Sequence, residues 1–189
     1  MSRIILLAGP SGGGKSRLAR RIGALPLRLD DFYLDADAPG LPRAHGIVDW
    51  DDPATWDAAG AVGALASLVG SGRCEVPSYS IAHSRRVGSR TLVLGTRDVI
   101  VAEGIFAIEM LPHARDAGLD VEPLYLDRSR WLVALLRLRR DLAERRKPPL
   151  VLVRRGWALF RSQPALRARA EAAGFTPMTM RAAVQLLTA

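Results

Sequence analysis

Cysteine is nearly missing from this chain. Cys74 is the only one among 189 residues, so no internal disulfide can form, and a reducing, cytoplasmic compartment is the natural expectation. No second thiol or clustered histidine stands beside it, so nothing supports a zinc site. Lysine is almost as scarce: of 27 basic residues only Lys15 and Lys147 are lysine. Long apolar runs are lacking too. Ile4 to Ala8 is far too short to span a membrane, and it lacks the apolar length and cleavage site of a signal peptide. It reads as a buried strand, and no membrane partner is expected.

What is plentiful is arginine. The formal net charge is +8 and the sequence pI is near 10.8. Such charge can serve a nucleic-acid partner. Arginine together with abundant alanine also fits a coding bias toward G and C, and a protein that handles polyanionic phosphates needs guanidinium groups. Nucleic acid is therefore disfavoured as the main partner. With 49% hydrophobic and 24% charged residues, the balance is that of an ordinary globular chain. The length suits one domain over residues 1–189 with a full core.

Apolar runs ending in turn or acidic residues alternate with helical patterns. Strands are expected at Arg3–Ala8, Pro26–Leu29, Asp98–Ala102, Glu122–Asp127 and, at an edge, Phe175–Met178. Between them, Asp52 as N-cap and Pro53 at the first helical position predict a helix running to Val69. Further helices are expected at about Ile108–Ala117, Ser129–Arg146, Leu150–Ala172 and after Thr179. The stretch 73–95 has broken β character with turn residues and reads as an inserted hairpin. Strands alternating with helices imply a parallel, helix-covered sheet: a three-layer α/β/α fold.

Gly9-Pro10-Ser11-Gly12-Gly13-Gly14-Lys15-Ser16 fits G-x-x-x-x-G-K-[ST], between an expected strand and an expected helix. Glycines let backbone N–H groups turn inward around phosphate oxygens, and the helix start adds its positive end. Lys15 would reach the β- and γ-phosphates and the Ser16 hydroxyl would take a position on Mg²⁺. The motif alone leaves kinase, ATPase and GTPase open. No N-K-x-D-like signature accompanies it, which disfavours GTPase. Two acids, Asp30 and Glu103, stand at expected strand C-terminal ends, where open α/β sheets bind ligands. A kinase needs one carboxylate to accept a hydroxyl proton and others near the metal.

The words around these acids decide the reading. Asp30-Asp31-Phe32-Tyr33 resembles the D-S-F-Y of uridine–cytidine kinases. Trp50-Asp51-Asp52-Pro53 is similar to their F-D-H-P, and Val101-Ala102-Glu103-Gly104-Ile105 to their V-x-E-G-I. Pro77-Ser78-Tyr79-Ser80-Ile81-Ala82-His83-Ser84-Arg85 resembles their P-x-Y-D-F-x-x-H-S-R. The set stands in family order after a P-loop, over roughly residues 3–146. The wider group includes phosphoribulokinase and bacterial pantothenate kinase. The resemblance implies the P-loop nucleoside triphosphate hydrolase fold with five parallel strands in order 2-3-1-4-5. It implies Asp30 as catalytic base close to Mg²⁺, and Glu103 as a second acid holding Mg²⁺. Asp51 would bind ribose hydroxyls, and Tyr79 and His83 would contact the acceptor's base. Arg85 is a further acceptor-side candidate. Ser80 and Ile81 depart from the family's Asp and Phe, so a ring that would stack on a pyrimidine is missing. His45 and His113 have no motif context and read as surface residues.

The helix expected over 129–146 carries Arg137, Arg139, Arg140, Arg145 and Arg146. A lid over about 137–149 would close on ATP and set arginines on phosphate oxygens, a contribution of ~10³–10⁵ in rate. Arg140-Asp141 resembles the family's R-D, making Arg140 the first choice as a catalytic residue, with Arg137 and Arg145 about one turn away as nucleotide ligands. No motif accounts for residues 154–188.

The expected function is therefore ATP- and Mg²⁺-dependent transfer of a phosphoryl group to a small molecule, with the 5′-hydroxyl of uridine or cytidine first. A kinase for a sugar phosphate or pantothenate-like alcohol is the alternative, and a nucleic-acid-associated P-loop ATPase the third reading. Members of such families often form oligomers, which leaves a homo-oligomer open.

Overall fold

The computed structural model describes residues 2–44, 46–143 and 149–188, with side chains throughout except over 137–159. Strand β1 (Arg3–Ala8) runs through the glycine loop into α1 (Lys15–Arg21), then β2 (Leu25–Arg28) and a 3₁₀ turn, Leu29–Phe32. Two short strands, β3 (Arg43–Ala44) and β4 (Ile47–Val48), precede a second 3₁₀ turn, Pro53–Thr55, and α2 (Ala58–Ser71). Next come β5 (Arg73–Ser80), β6 (Arg85–Val93), β7 (Val99–Glu103), α3 (Ala107–Asp116) and β8 (Val121–Leu126). The chain continues through α4 (Arg130–Ala143), α5 (Pro149–Ala172), β9 (Thr176–Met178) and α6 (Met180–Thr188).

Five strands form one parallel sheet in the order β2-β7-β1-β8-β9. Counted along the five, that is 2-3-1-4-5. Alternate residues of β1 supply the two faces. Ile4, Leu6 and Ala8 point into a core with α2 and α3, built on Leu65, Leu68, Met110 and Leu111. Ile5 and Leu7 point the other way, toward Leu18 of α1 and Met180, Ala183 and Leu187 of α6. A strand covered on both faces must be apolar at every position, which is why Ile4 to Ala8 reads as a continuous run rather than an alternating one. None of the helices among the described residues is long and apolar enough to cross a membrane.

The helix expected from Asp52 starts later. Asp52 caps only the 3₁₀ turn, its side chain accepting from the Ala54 amide at 2.8 Å. The chain then turns extended at Trp56, which bridges to Tyr33, buries its ring and donates its indole N–H to the Leu29 carbonyl at 3.0 Å. That side-chain burial outweighs continuing the helix. Asp57 starts α2 instead, accepting from the Gly60 amide at 2.8 Å. Asp57 also holds Arg86 of β6 at 3.0 Å. Replacing Asp57 with Ala is expected to lower stability by ~1–2 kcal/mol through the lost cap, seen as a lower urea midpoint at unchanged slope.

The insertion is a hairpin. Strands β5 and β6 pair antiparallel from Arg73↔Val93 to Ser80↔Arg85, with a register shift between Ser78 and Tyr79. Cys74, Val76 and Leu92 face the core and anchor it beside the 3₁₀ turn 29–32. Of the lid expected over about 137–149, residues 144–148 lie outside the described residues, Arg145 among them, and so does His45. Arg137 and Arg140 belong to α4, but their side chains lie outside the described set.

Candidate active site

The phosphate loop begins where β1 ends and closes on itself. The Gly13 amide donates to the Pro10 carbonyl at 2.9 Å. Gly14 enters α1 at φ +96°, a left-handed backbone that any side chain would strain. Lys15 is the first residue of that helix, and its side chain folds back under the loop. Lys15 is 7% exposed, and its ammonium donates to the Gly9 carbonyl at 2.9 Å and to the Pro10 carbonyl at 3.4 Å. An ammonium so far from water is costly without oxygen partners, and here backbone carbonyls supply them.

Ser16 follows on the same turn and donates its hydroxyl to Glu103 Oε1 at 2.6 Å. Glu103 is the last residue of β7, the neighbour of β1, and is buried. Asp30 stands in the 3₁₀ turn just past β2, the neighbour of β7 on its other side. Three adjacent strands thus deliver Lys15 and Ser16, Glu103 and Asp30 to one edge of the sheet. Glycine makes the approach feasible. A Cβ on Gly104 would lie 2.7 Å from Leu29 Cβ and 2.8 Å from Asp30 Oδ1.

Burial pushes the Asp30 carboxyl above its ordinary range. The Lys15 charge opposes that shift, the Glu103 charge adds to it, and the Ile105 amide hydrogen bond and the more remote Arg28 oppose it. Asp30 Oδ1 is buried with no hydrogen-bond partner among the described residues. A buried carboxylate oxygen left unsatisfied is a prompt for a ligand. The oxygen set of Ser16, Asp30 and Glu103 is hard and suits Mg²⁺. Among the described residues no cluster of three or more acids, histidines or cysteines forms a cage of its own.

The remaining positions singled out in the sequence are spread over the hairpin side. Tyr79 sits in an aromatic group: its ring centroid is 5.5 Å from Tyr33 and 6.4 Å from Trp50, and Tyr33 also meets Phe106 at 5.5 Å. The Tyr79 hydroxyl donates to the Leu34 carbonyl at 3.2 Å. Burial, with Asp35 adding, pushes its phenol up to about 12, so it remains a donor at neutral pH. Asp51 is exposed and its amide donates to Asp49 Oδ1 at 3.3 Å, just after Trp50. His83 lies exposed at the hairpin tip, its Nδ1 2.8 Å from Ser80 Oγ, and Arg85 is exposed beside it. Glu103, Asp30, Lys15 and Ser16 converge; His83 and Arg85 stay at the tip of the hairpin.

Two features escaped the sequence reading. Arg128, two residues past β8, donates Nε–H to the Gly13 carbonyl at 3.2 Å, and its backbone carbonyl accepts from Gln163 at 2.7 Å. It borders a cavity of about 570 Å³ with Arg21, Thr179, Met180, Arg181 and Val184, next to Gly14. The rule that ligands gather at strand C-terminal ends, applied to β8, would have found it. The second is Asp31, buried and 2.6 Å from Arg90 of β6. No local signal links two residues so far apart in the chain.

No family model matches the chain. The uridine kinase of Staphylococcus haemolyticus is 31% identical over 148 residues, which span 75% of this chain and 70% of that protein. The chain belongs to the uridine kinase family. A yeast uridine kinase, from Saccharomyces cerevisiae, is 29% identical over 150 residues; these span 75% of this chain and 29% of the yeast protein, so the chain covers under a third of that relative's length. A candidate fructose transport system kinase from Silicibacter superposes with a TM-score of 0.61 at 19% identity, over 94% of this chain and 88% of its own. That likeness speaks to the α/β/α P-loop kinase fold alone, and it extends over most of the chain.

Proposed function

We propose that this protein transfers the γ-phosphate of ATP to a hydroxyl group of a small molecule, with the 5′-hydroxyl of uridine or cytidine as the first acceptor. The observation that carries the reading is Asp30: a carboxylate with one buried, unsatisfied oxygen, set beside the P-loop lysine. The loop amides and Lys15 bind the β- and γ-phosphates. Asp30 accepts the proton of the acceptor hydroxyl as its oxygen bonds to the γ-phosphorus. The bond from that phosphorus to the bridging oxygen breaks, and ADP leaves with the electron pair. Ser16, Asp30 and Glu103 would hold Mg²⁺, which when bound supplies charge neutralisation on the phosphate oxygens. The cavity beside Gly14 takes the nucleotide base, with the Arg128 guanidinium at its rim. Arg140, Arg137 and Arg145 act from the lid. Tyr79, Asp51, His83 and Arg85 form the acceptor side.

A second reading, a kinase for another small alcohol, is favoured by Ser80 and Ile81. They leave the hairpin without the family's acid and ring, and Ile81 is 61% exposed at the tip. The deciding experiment measures Mg²⁺-dependent ADP release from ATP with uridine, cytidine, other nucleosides, ribulose 5-phosphate, pantothenate or no acceptor. Stimulation by uridine or cytidine supports the first reading. Stimulation by another alcohol alone moves the assignment to it. Hydrolysis stimulated only by nucleic acid sinks both.

A further inference from the structure

Beside the catalytic turn, on the far side of Asp31, lies a second cavity of about 380 Å³. Its walls come from the edge strand β2 (Pro26 and Arg28), from β5 (Ser78 and Tyr79) and from β6 (Arg90 and Leu92), with Asp31 between them. Three features give it a chemical preference. The Arg28 guanidinium has no hydrogen bond or ion pair among the described residues, although it faces the cavity. The Ser78 hydroxyl is likewise without a hydrogen-bond partner there. Arg90 is half-committed: one terminal nitrogen holds Asp31 at 2.6 Å, and its side chain is 40% exposed against 8% for Asp31. Arginine has five N–H donors in a rigid fork, so holding one carboxylate oxygen leaves donors over.

The charges sum in one direction. Asp31 is the only acid of the lining, and Arg90 neutralises it. Arg28 then leaves a net positive charge, with an uncommitted hydroxyl and spare guanidinium donors around it. Pro26, Leu92 and the Tyr79 ring give an apolar floor. A cationic, donor-rich rim beside apolar side chains is complementary to a small organic anion with a multidentate oxygen head, such as a phosphate. Arg28 also sits close enough to Asp30 for its charge to act on that carboxyl, so an anion bound there would be felt at the catalytic turn.

We propose that this cavity binds the phosphate monoester of a small molecule through Arg28, Arg90 and Ser78. It is a site separate from the P-loop. Two sources supply such a group: an acceptor that already carries a phosphate, or a phosphorylated metabolite that acts as effector. The chemistry at Arg28 is the same for both.

The test titrates ribose 5-phosphate, by calorimetry, into the whole protein saturated with ADP and Mg²⁺, so that the P-loop is occupied. Free ribose is the control. Saturable binding of ribose 5-phosphate alone is expected. Arg28→Gln should weaken it about 10- to 100-fold, the loss of a charged hydrogen-bond partner, with ADP affinity unchanged. Arg28 is exposed on an edge strand, so this variant leaves the core intact. Ser78→Ala should weaken binding by less. Equal binding of ribose and ribose 5-phosphate, or an Arg28→Gln protein that binds as wild type does, overturns the proposal. With ATP in place of ADP, consumption of the sugar phosphate identifies an acceptor. A changed KM for the hydroxyl acceptor, without consumption, identifies an effector. If no acceptor is ever phosphorylated, the kinase reading falls and the calorimetry still decides the site.

Discussion

Asp30→Asn is expected to lose ~10²–10⁴ in phosphoryl-transfer rate, the usual worth of a positioned base, while binding ATP normally and melting at a higher temperature. The two effects share a cause. Burial holds the Asp30 carboxyl above its ordinary range, so its ionised form is disfavoured in the fold relative to the unfolded chain. Ionised Asp30 therefore costs stability at any pH above its folded value, and the cost is relieved as pH falls toward the unfolded value. An amide carries no such cost. The gain in Tm should be present at pH 7 and should vanish near pH 3, where Asp30 is protonated in both states. If Asp30 is the base, as proposed, the same shift should set the acid side of the activity profile. The base must be ionised, so kcat/KM for the wild type should fall as pH drops through a value above that of an ordinary aspartate. The measurements are scanning calorimetry at two pH values, ADP release across pH and equilibrium ATP binding. A variant of full activity would remove Asp30 from the role of base; a lower Tm at pH 7 would refute the burial argument.

The second large effect is expected from a single methyl group. In Gly104→Ala, the new Cβ would stand 2.7 Å from Leu29 Cβ and 2.8 Å from Asp30 Oδ1. Neither neighbour can yield freely. Leu29 is fully buried and its carbonyl holds the Trp56 indole, and Asp30 is tied to the Ile105 amide. The 3₁₀ turn must move away from β7, at a cost of ~1–3 kcal/mol of the kind seen on overpacking. A displacement near 1 Å at the base is worth ~10² in rate. Glu103, one residue earlier and paired with Ser16, belongs to the other side of the site, so ATP binding should change little. The check is a urea melt beside single-turnover transfer and ATP binding. Wild-type transfer with wild-type stability would show that the turn and strand are not as tightly apposed as described.

Much of this architecture is legible in the residues because local and global signals agree there. The P-loop fixes its own strand, loop and helix, and the two-sided burial of Ile4 to Ala8 follows from its unbroken apolarity. Asp30 and Glu103 are found by asking which acids end strands. The misreadings come where tertiary contact overrides local preference. Asp52-Pro53 is a sound helix start, but the buried indole of Trp56 wins and the helix waits for Asp57. The pairs Asp31–Arg90 and Asp57–Arg86 join segments brought together only by the hairpin's docking, and nothing in the spacing announces them. Arg128 also stands just past a strand end, but it is a base, so asking which acids end strands does not find it.

The Trp56 indole has a further use. Its N–H is bonded to the carbonyl of the residue just before Asp30, its ring stacks on Phe106 at 5.3 Å and 25°, and it is 5% exposed. A buried, stacked, hydrogen-bonded indole has an emission colour and a near-ultraviolet dichroism tied to that one geometry. The fold thereby carries an intrinsic optical gauge wired to the turn that holds Asp30. Any ligand or substitution that shifts the turn should be readable as light, with no label attached, once the other tryptophans are replaced.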